Sequence, residues 1–467
     1  MLAIKGRLEK RHVFWFLGSV FLFGLLIRLV CAYTNTYYID LSYYVDWSTG
    51  VVREGLFDAY HAVESLDYPP AFLFPLYLTG LAMESGLSNF TPYAMLILKF
   101  WQLAFDLATI FLVYHVLKRH NQLLALAAAA LWALNPAIIF NSAYWGQTDP
   151  IMIFLLLGVF YLVERERPMA ATVLFAVSCM MKFQCAYFAP VLLLFLFFKF
   201  PIKKSLKSLG AAALVVIAVF LPFMISDMIA EGFTAGLTLP FRIYFGGLGK
   251  YPYCTLNAFN IYGATGYNWV LDDSSLFAIP VVGGNFFLDF LGLIAKGLNA
   301  ISFHTVSTVL LLLSVALVVF LFFKSKNKCP YLLCFILMNS IFMLTSRMHE
   351  RYQIPVIIFL LIAAIKHKNP RLFGGFLATT TMVLLNQFLL YFQLVGHATT
   401  SEPRPEWLNN FNIVMVPLSI VNVILYLVTL FFAVEQLFDL HIPFPWSKRK
   451  EAARIDAAQD AAFSQGE

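Results

Sequence analysis

Long apolar runs alternate with short polar clusters along most of the chain. An α-helix needs about 17 to 25 such residues to span a hydrocarbon core of roughly 30 Å. The pattern predicts spanning helices near 13–33, 93–117, 122–142, 207–226, 303–323, 329–346, 371–394 and 411–437. Shorter runs at 149–164, 168–182, 185–199 and 352–366 suit tilted or re-entrant helices. Together these make about twelve transmembrane helices. The stretch Ala71–Met83 is apolar too, but it starts at Pro69-Pro70 and is interrupted. A crossing there would invert every later loop, so it is expected to lie at the membrane interface. Matching pairs of broken helices in two halves, the mark of inverted-repeat transporters, are missing from the sequence. The expected fold class is an all-α polytopic membrane protein.

Charge orients it. Basic clusters at Lys118-Arg119-His120, Arg165 with Arg167, Lys199 to Lys207, Lys324 to Lys328, Lys366 to Arg371 and Lys448-Arg449-Lys450 fall between apolar runs. The positive-inside rule makes them cytoplasmic, with both termini inside. A single transmembrane domain over 1–445 is expected, with long external loops at 34–92 and 226–303 and a cytoplasmic tail at 446–467. Shorter external turns fall at 144–148, 182–184, 346–352 and 395–410. The composition agrees: 60% of residues are hydrophobic, 17% aromatic and only 12% charged, and mean hydropathy is +0.76. The net charge of +6 follows from the cytoplasmic anchors and is no pointer to nucleic acid. None of the six cysteines forms a CxxC pair, and they read as packing residues. The first apolar run follows four basic residues but is long and lacks a small-residue cleavage site, so it reads as a retained helix.

The unusual polar residues collect on the external side. The first loop carries Asp40 and Asp46 beside Trp47, then Asp67-Tyr68-Pro69-Pro70. A carboxylate ringed by aromatics just beyond a membrane helix is partly desolvated and suits a general base toward a hydroxyl; a merely hydrated acidic loop is the plainer reading. Tyr144 to Asp149 reads Tyr-Trp-Gly-Gln-Thr-Asp; an interfacial aromatic belt explains Trp145 but not Gln147 or Asp149. Lys182 and Gln184 sit at the tip of a short hairpin, where a lysine either meets a phosphate or snorkels to headgroups. The turn Arg347-Met-His349-Glu350-Arg351-Tyr352 puts two arginines outside, against the charge bias. Two guanidiniums and a histidine suit a phosphodiester, or a lipid headgroup. The large external loop carries Arg242, its only arginine, and Lys250 among its cations. Within the second span Lys99 and Asp106 lie seven residues apart on one face, as in a structural ion pair formed directly or through another helix. His349 and Glu350 are adjacent, which is poor ligand spacing, and no metal site or other cofactor is indicated.

In order, these motifs resemble the GT-C glycosyltransferases that use a polyprenyl-phosphate sugar, especially the dolichyl-phosphate-glucose α-glucosyltransferases. The points of likeness are Asp40 seven residues before Trp47, Asp67-Tyr-Pro-Pro70, the Lys99 and Asp106 separation, Lys182-Phe-Gln-Cys-Ala-Tyr-Phe-Ala-Pro190, His349-Glu350-Arg351 and, more weakly, Asn257-Ala-Phe-Asn260. Phe183 interrupts the family's Lys-Gln pair. The texture is even more similar to bacterial predicted mannosyltransferases related to the GPI second-mannose enzyme. The resemblance covers about residues 10 to 365. It implies inverting transfer of a hexose from a polyprenyl-phosphate donor to a glycolipid or glycan hydroxyl on the non-cytoplasmic face. In that reading Asp40 is the base, Asp46 its rival, and Lys182, Gln184, Arg347, His349 and Arg351 hold the donor phosphate. Trp47, Asp67, Tyr68, Trp145, Gln147, Asp149, Arg242 and Glu350 line the substrate cavity. Short loops favour a bacterial plasma membrane over the endoplasmic reticulum. The alternative from another class is a transporter or flippase of a lipid-linked substrate, which would place its charges at mid-bilayer on several helices.

Overall fold

The computed structural model describes residues 8–33, 37–84, 91–277, 279, 286–399, 406 and 410–440. The expected tail at 446–467 and most of the 395–410 turn lie outside them. The first helices are α1 (Lys10–Tyr33), α2 (Tyr38–Glu54), α3 (Ala59–Ala62), α4 (Pro70–Met83), α5 (Pro92–Leu98), α6 (Phe100–Leu117), α7 (Gln122–Ala133) and α8 (Pro136–Ile139). α8 runs into a π-helical turn, Phe140–Trp145. There follow α9 (Asp149–Glu164), α10 (Pro168–Met181), a 3-10 turn at Phe183–Phe188, α11 (Ala189–Lys199), α12 (Ile202–Glu231) and α13 (Phe233–Gly249). The last part holds α14 (Ile261–Ala264), α15 (Phe286–Asn299), α16 (Phe303–Lys324), α17 (Pro330–Leu344), α18 (Ile354–His367), α19 (Pro370–Thr399) and α20 (Asn412–Phe438). Two short strands, β1 (Thr255–Leu256) and β2 (Met348–His349), pair in parallel.

Among the described residues six helices are long and apolar enough to cross a membrane: α1, α6, α12, α16, α19 and α20. The bent pair α7 and α8 with its π-turn makes a seventh, kinked by 41°. The expectation of about twelve transmembrane helices, four of them tilted or re-entrant, exceeds this number, because several apolar helices are shorter than a full span. α17 and α18, at 15 and 14 residues, reach only about 21 to 23 Å. Both are buried on nearly every side, in a core with Trp132, Phe160, Phe188, Phe335 and Phe359. A helix that is apolar all round and enclosed by protein need not match the lipid thickness.

The kink has a local cause. Asn135 precedes Pro136, which pushes it toward extended backbone, and its side chain caps Ala137 and Ile138. α12 overruns the predicted 207–226 span by a turn, and much of the expected external loop 226–303 is helical. α4 packs on α2 so closely that a Cβ on Gly80 would overlap the Ser48 carbonyl oxygen.

The predicted basic anchors that lie among the described residues gather at one end of the bundle. There Glu164 pairs with Lys366 and, at 3.8 Å, His120, and Arg371 pairs with Glu435 at 2.7 Å. Asp149 stands at the other end of the same helix, α9, and marks the side of the candidate site.

Lys99 and Asp106 do not pair with each other. Arg28 of α1, which the sequence reading passed over, donates from Nε to Asp106 Oδ2 at 2.7 Å and from Nη2 to Oδ1 at 3.1 Å. Both residues are fully buried. Ser142 of the π-turn donates to the same carboxylate at 2.6 Å. Lys99 Nζ instead meets the carbonyls of Ala32 (3.3 Å), Ala143 (2.9 Å) and Tyr144 (2.9 Å).

Candidate active site

A cavity of about 390 Å³ opens between α2, the segment after the π-turn, the Lys182 corner and the 349–352 turn. Its floor begins with α2. Asp40, Tyr44 and Trp47 follow the i, i+4, i+7 spacing and share one helical face, and all three line the cavity. Asp46 is six residues from Asp40, roughly 240° around the helix, and is exposed away from it. The rival base therefore lies outside the cavity.

Asp40 sits in the first turn of α2, where the helix dipole favours negative charge. Trp145 Nε1 and Gln147 Nε2 each donate to its Oδ2 at 2.8 Å. Among the described residues nothing donates to Oδ1, so one oxygen stays free to take a proton. Burial raises the Asp40 pKa; Arg351 and the two donors pull it back, and the outcome is a carboxyl above its ordinary value. An aromatic wall stands beside it. Tyr44 and Tyr68 hydroxyls are 2.8 Å apart, Tyr68 reaches Thr148 at 3.0 Å, and the Trp47 and Tyr68 rings are 5.6 Å apart. Among the described residues Trp47 Nε1 is buried without a hydrogen-bond partner.

The cations face this wall. Lys182 ends α10 with Nζ 2.5 Å from Asp149 Oδ1, and Arg351 Nη1 donates to Glu350 Oε1 at 2.7 Å. Asp149 also lies 3.9 Å from Arg351 Nε and accepts from Asn141 at 3.2 Å. It is fully buried and sits beneath the cavity surface, joining the two cations. A lysine has three donors and an arginine five, so both keep hydrogen-bonding capacity for an anion. Gln184 donates to the Tyr352 hydroxyl at 3.0 Å, and its Oε1 is buried with no hydrogen-bond partner among the described residues. Burial opposes the Glu350 charge, but Arg351 and His349 hold its pKa at about 2. Burial lowers the pKa of His349, more than Glu350 raises it. The imidazole lies against Tyr251 and Tyr352, with ring centroids 5.2 and 5.1 Å away.

The turn bearing these residues is fixed from the large loop. β1 pairs with β2, and Arg347 donates from Nε and Nη2 to Asp272 at 2.7 and 3.1 Å. Arg347, with φ of 63°, is thus turned to Asp272 and does not line the cavity. Arg242 is likewise outside it, paired with Asp227 and, at 3.1 Å, with Glu231. Asp67 lines the cavity and pairs with Lys250 at 2.6 Å. The sequence reading had not placed Tyr37, Tyr43, Tyr251, Trp269, Leu390 or Leu394 in the cavity. Aromatic density near Asp40 was the available signal for Tyr37 and Tyr43; nothing local marked the leucines of α19. Asn257 lines the cavity, whereas Asn260 caps α14 and is buried. Among the described residues no three His, Cys, Asp or Glu side chains converge as metal ligands.

Residues 66–245 match the family model described as Glycosyltransferase family 87. The protein is a glycosyltransferase. The matched stretch of the transferase includes Asp67, Tyr68, Trp145, Gln147, Lys182 and Gln184, and names no sugar. No curated protein matches the chain. Among solved structures it is similar to ArnT from Cupriavidus metallidurans bound to undecaprenyl phosphate, at 13% identity and a TM-score of 0.44, over 92% of this chain and 78% of that one. At that distance no residue of ArnT is carried over.

Proposed function

We propose that this integral membrane transferase moves a hexose from a polyprenyl-phosphate donor to a hydroxyl of a glycolipid or cell-surface glycan. One observation carries the reading: Asp40, with one oxygen held by Trp145 and Gln147 and the other without a donor among the described residues, shares one cavity with two cations, Lys182 and Arg351. The acceptor hydroxyl gives its proton to Asp40 Oδ1, and its oxygen forms the new bond to the anomeric carbon. The bond from that carbon to the phosphate oxygen breaks, and the electron pair leaves with the phosphate. Attack opposite the leaving group inverts the anomeric centre. Lys182 and Arg351 balance the charge that develops on the phosphate, and such preorganised stabilisation is commonly a large part of a catalytic effect. Gln184 and His349 complete the phosphate end; Trp47 and Tyr68 offer apolar faces to a sugar. A phosphate-linked sugar carries its own leaving group, so no nucleotide site is needed.

The external face of a bacterial plasma membrane is the site we assign to this chemistry, with the basic end cytoplasmic. The test is incubation of the purified protein with a panel of polyprenyl-phosphate hexoses, a parallel panel of nucleotide sugars, and a cell lipid extract. Mass spectrometry should find a hexosylated product with the first panel alone. Transfer from nucleotide sugars alone would overturn the donor assignment.

A further inference from the structure

Lys99 is fully buried, stands where α5 breaks into α6, and takes no part in the cavity. Its three contacts are nonetheless informative. Ala143 and Tyr144, whose carbonyls it binds, belong to the last residues of the π-turn. Carbonyls at a helix end have no partner within the helix and carry partial negative charge. The turn then stops at Gly146, whose φ of 85° is left-handed. A Cβ on Gly146 would lie 3.1 and 3.2 Å from Lys99 Cγ and Cε, so the backbone rests directly on the lysine stem. Gln102 adds a hydrogen bond to the Gly146 carbonyl at 3.2 Å. The residues on either side of Gly146 are Trp145 and Gln147, the two donors to Asp40 Oδ2.

We infer that Lys99 is a positioning residue for Asp40: by gripping the end of the π-turn it sets Trp145 and Gln147 so that both reach one carboxylate oxygen and leave the other free. The Arg28, Asp106 and Ser142 cluster secures the same turn one helical turn deeper. The inference adds to the proposed function the reason a lysine is kept inside the membrane, and its value to catalysis rests on Asp40 being the base. The other charged and titratable groups around Asp40 are Arg351, Glu350, His349, Tyr37 and Tyr44, and none of them touches Lys99.

The test needs no donor, so it stands even if no transfer activity is found. A carboxyl reacts with a water-soluble carbodiimide and an amine in its protonated form, so the pH dependence of Asp40 labelling, read by peptide mass spectrometry, gives its titration midpoint. In Lys99→Met the two donors lose their anchor, and the midpoint should rise by about one pH unit. Gly146→Ala strains the left-handed position and presses on the lysine, so it should move the midpoint the same way and decides the matter if Lys99→Met does not fold. Glu164→Gln, at the far end of α9, should leave it in place. A midpoint equal to wild type in the folded variants would overturn the inference, as would an equal shift in Glu164→Gln.

Discussion

At the residue scale, the free Oδ1 of Asp40 and its raised pKa make one prediction each. Asp40→Asn keeps the Trp145 and Gln147 contacts available but cannot accept a proton, so kcat should fall by about 10²- to 10⁴-fold while thermal stability holds. The pH profile of kcat/KM should lose activity on the acid side above the ordinary aspartate range, because the base must be ionised and burial lifts its pKa. Glu350 behaves in the opposite sense. Its folded pKa of about 2 lies below the unfolded value, so its contribution to stability is present above the usual glutamate range and is lost as pH falls toward 2. Arg351→Ala should raise the donor KM and leave Glu350 without its nearest cation; an unchanged donor dependence would remove Arg351 from the phosphate site. Residue types in their loops made Asp40, Lys182 and Arg351 visible in the sequence. Asp46 stayed a rival to Asp40, and Arg347 stood beside Arg351 in the phosphate set, because helical phase and a partner such as Asp272, 75 residues away, are tertiary facts.

At the element scale, the π-turn and the helices that pin it decide where the donors to Asp40 point. Arg28 and Asp106 are a fully buried pair, and removing one partner leaves an uncompensated charge. Arg28→Leu should cost about 3 to 5 kcal/mol, seen as a lowered melting temperature in detergent. The double variant Arg28→Leu with Asp106→Leu should recover much of that loss, and equal loss in the single and double variants would show that the pair itself matters little. Helix existence was readable from apolar runs and the Pro and Asn stops. Helix length was not, since α17 and α18 are short for reasons of enclosure that hydropathy cannot express. The cost of charge in a membrane singled out Lys99 and Asp106 in the sequence, but Arg28 was hidden inside the first apolar run, and it is Arg28 that pairs with Asp106.

At the scale of the whole molecule, the described basic anchors and the polar, aromatic cavity occupy opposite ends of one helical bundle. That polarity was visible in the sequence as charge placement. The cavity's apolar wall from α19 was not, because the resemblance stops at about residue 365 and Leu390 and Leu394 look like any other apolar residues of a membrane helix. Cysteine introduced at Asp273 should label from outside intact cells, and cysteine at Arg119 only after permeabilisation; the reverse order would invert the arrangement. The claim that joins the scales is that Asp40 deprotonates the acceptor of a polyprenyl-phosphate sugar. The most direct measurement is hexose transfer by purified wild type and Asp40→Asn from the donor that wild type accepts, with the anomeric configuration of the product determined by NMR. The account predicts an inverted product from wild type and transfer slower by about 10²- to 10⁴-fold from the variant. A retained configuration, or full transfer by a folded Asp40→Asn protein, would contradict it.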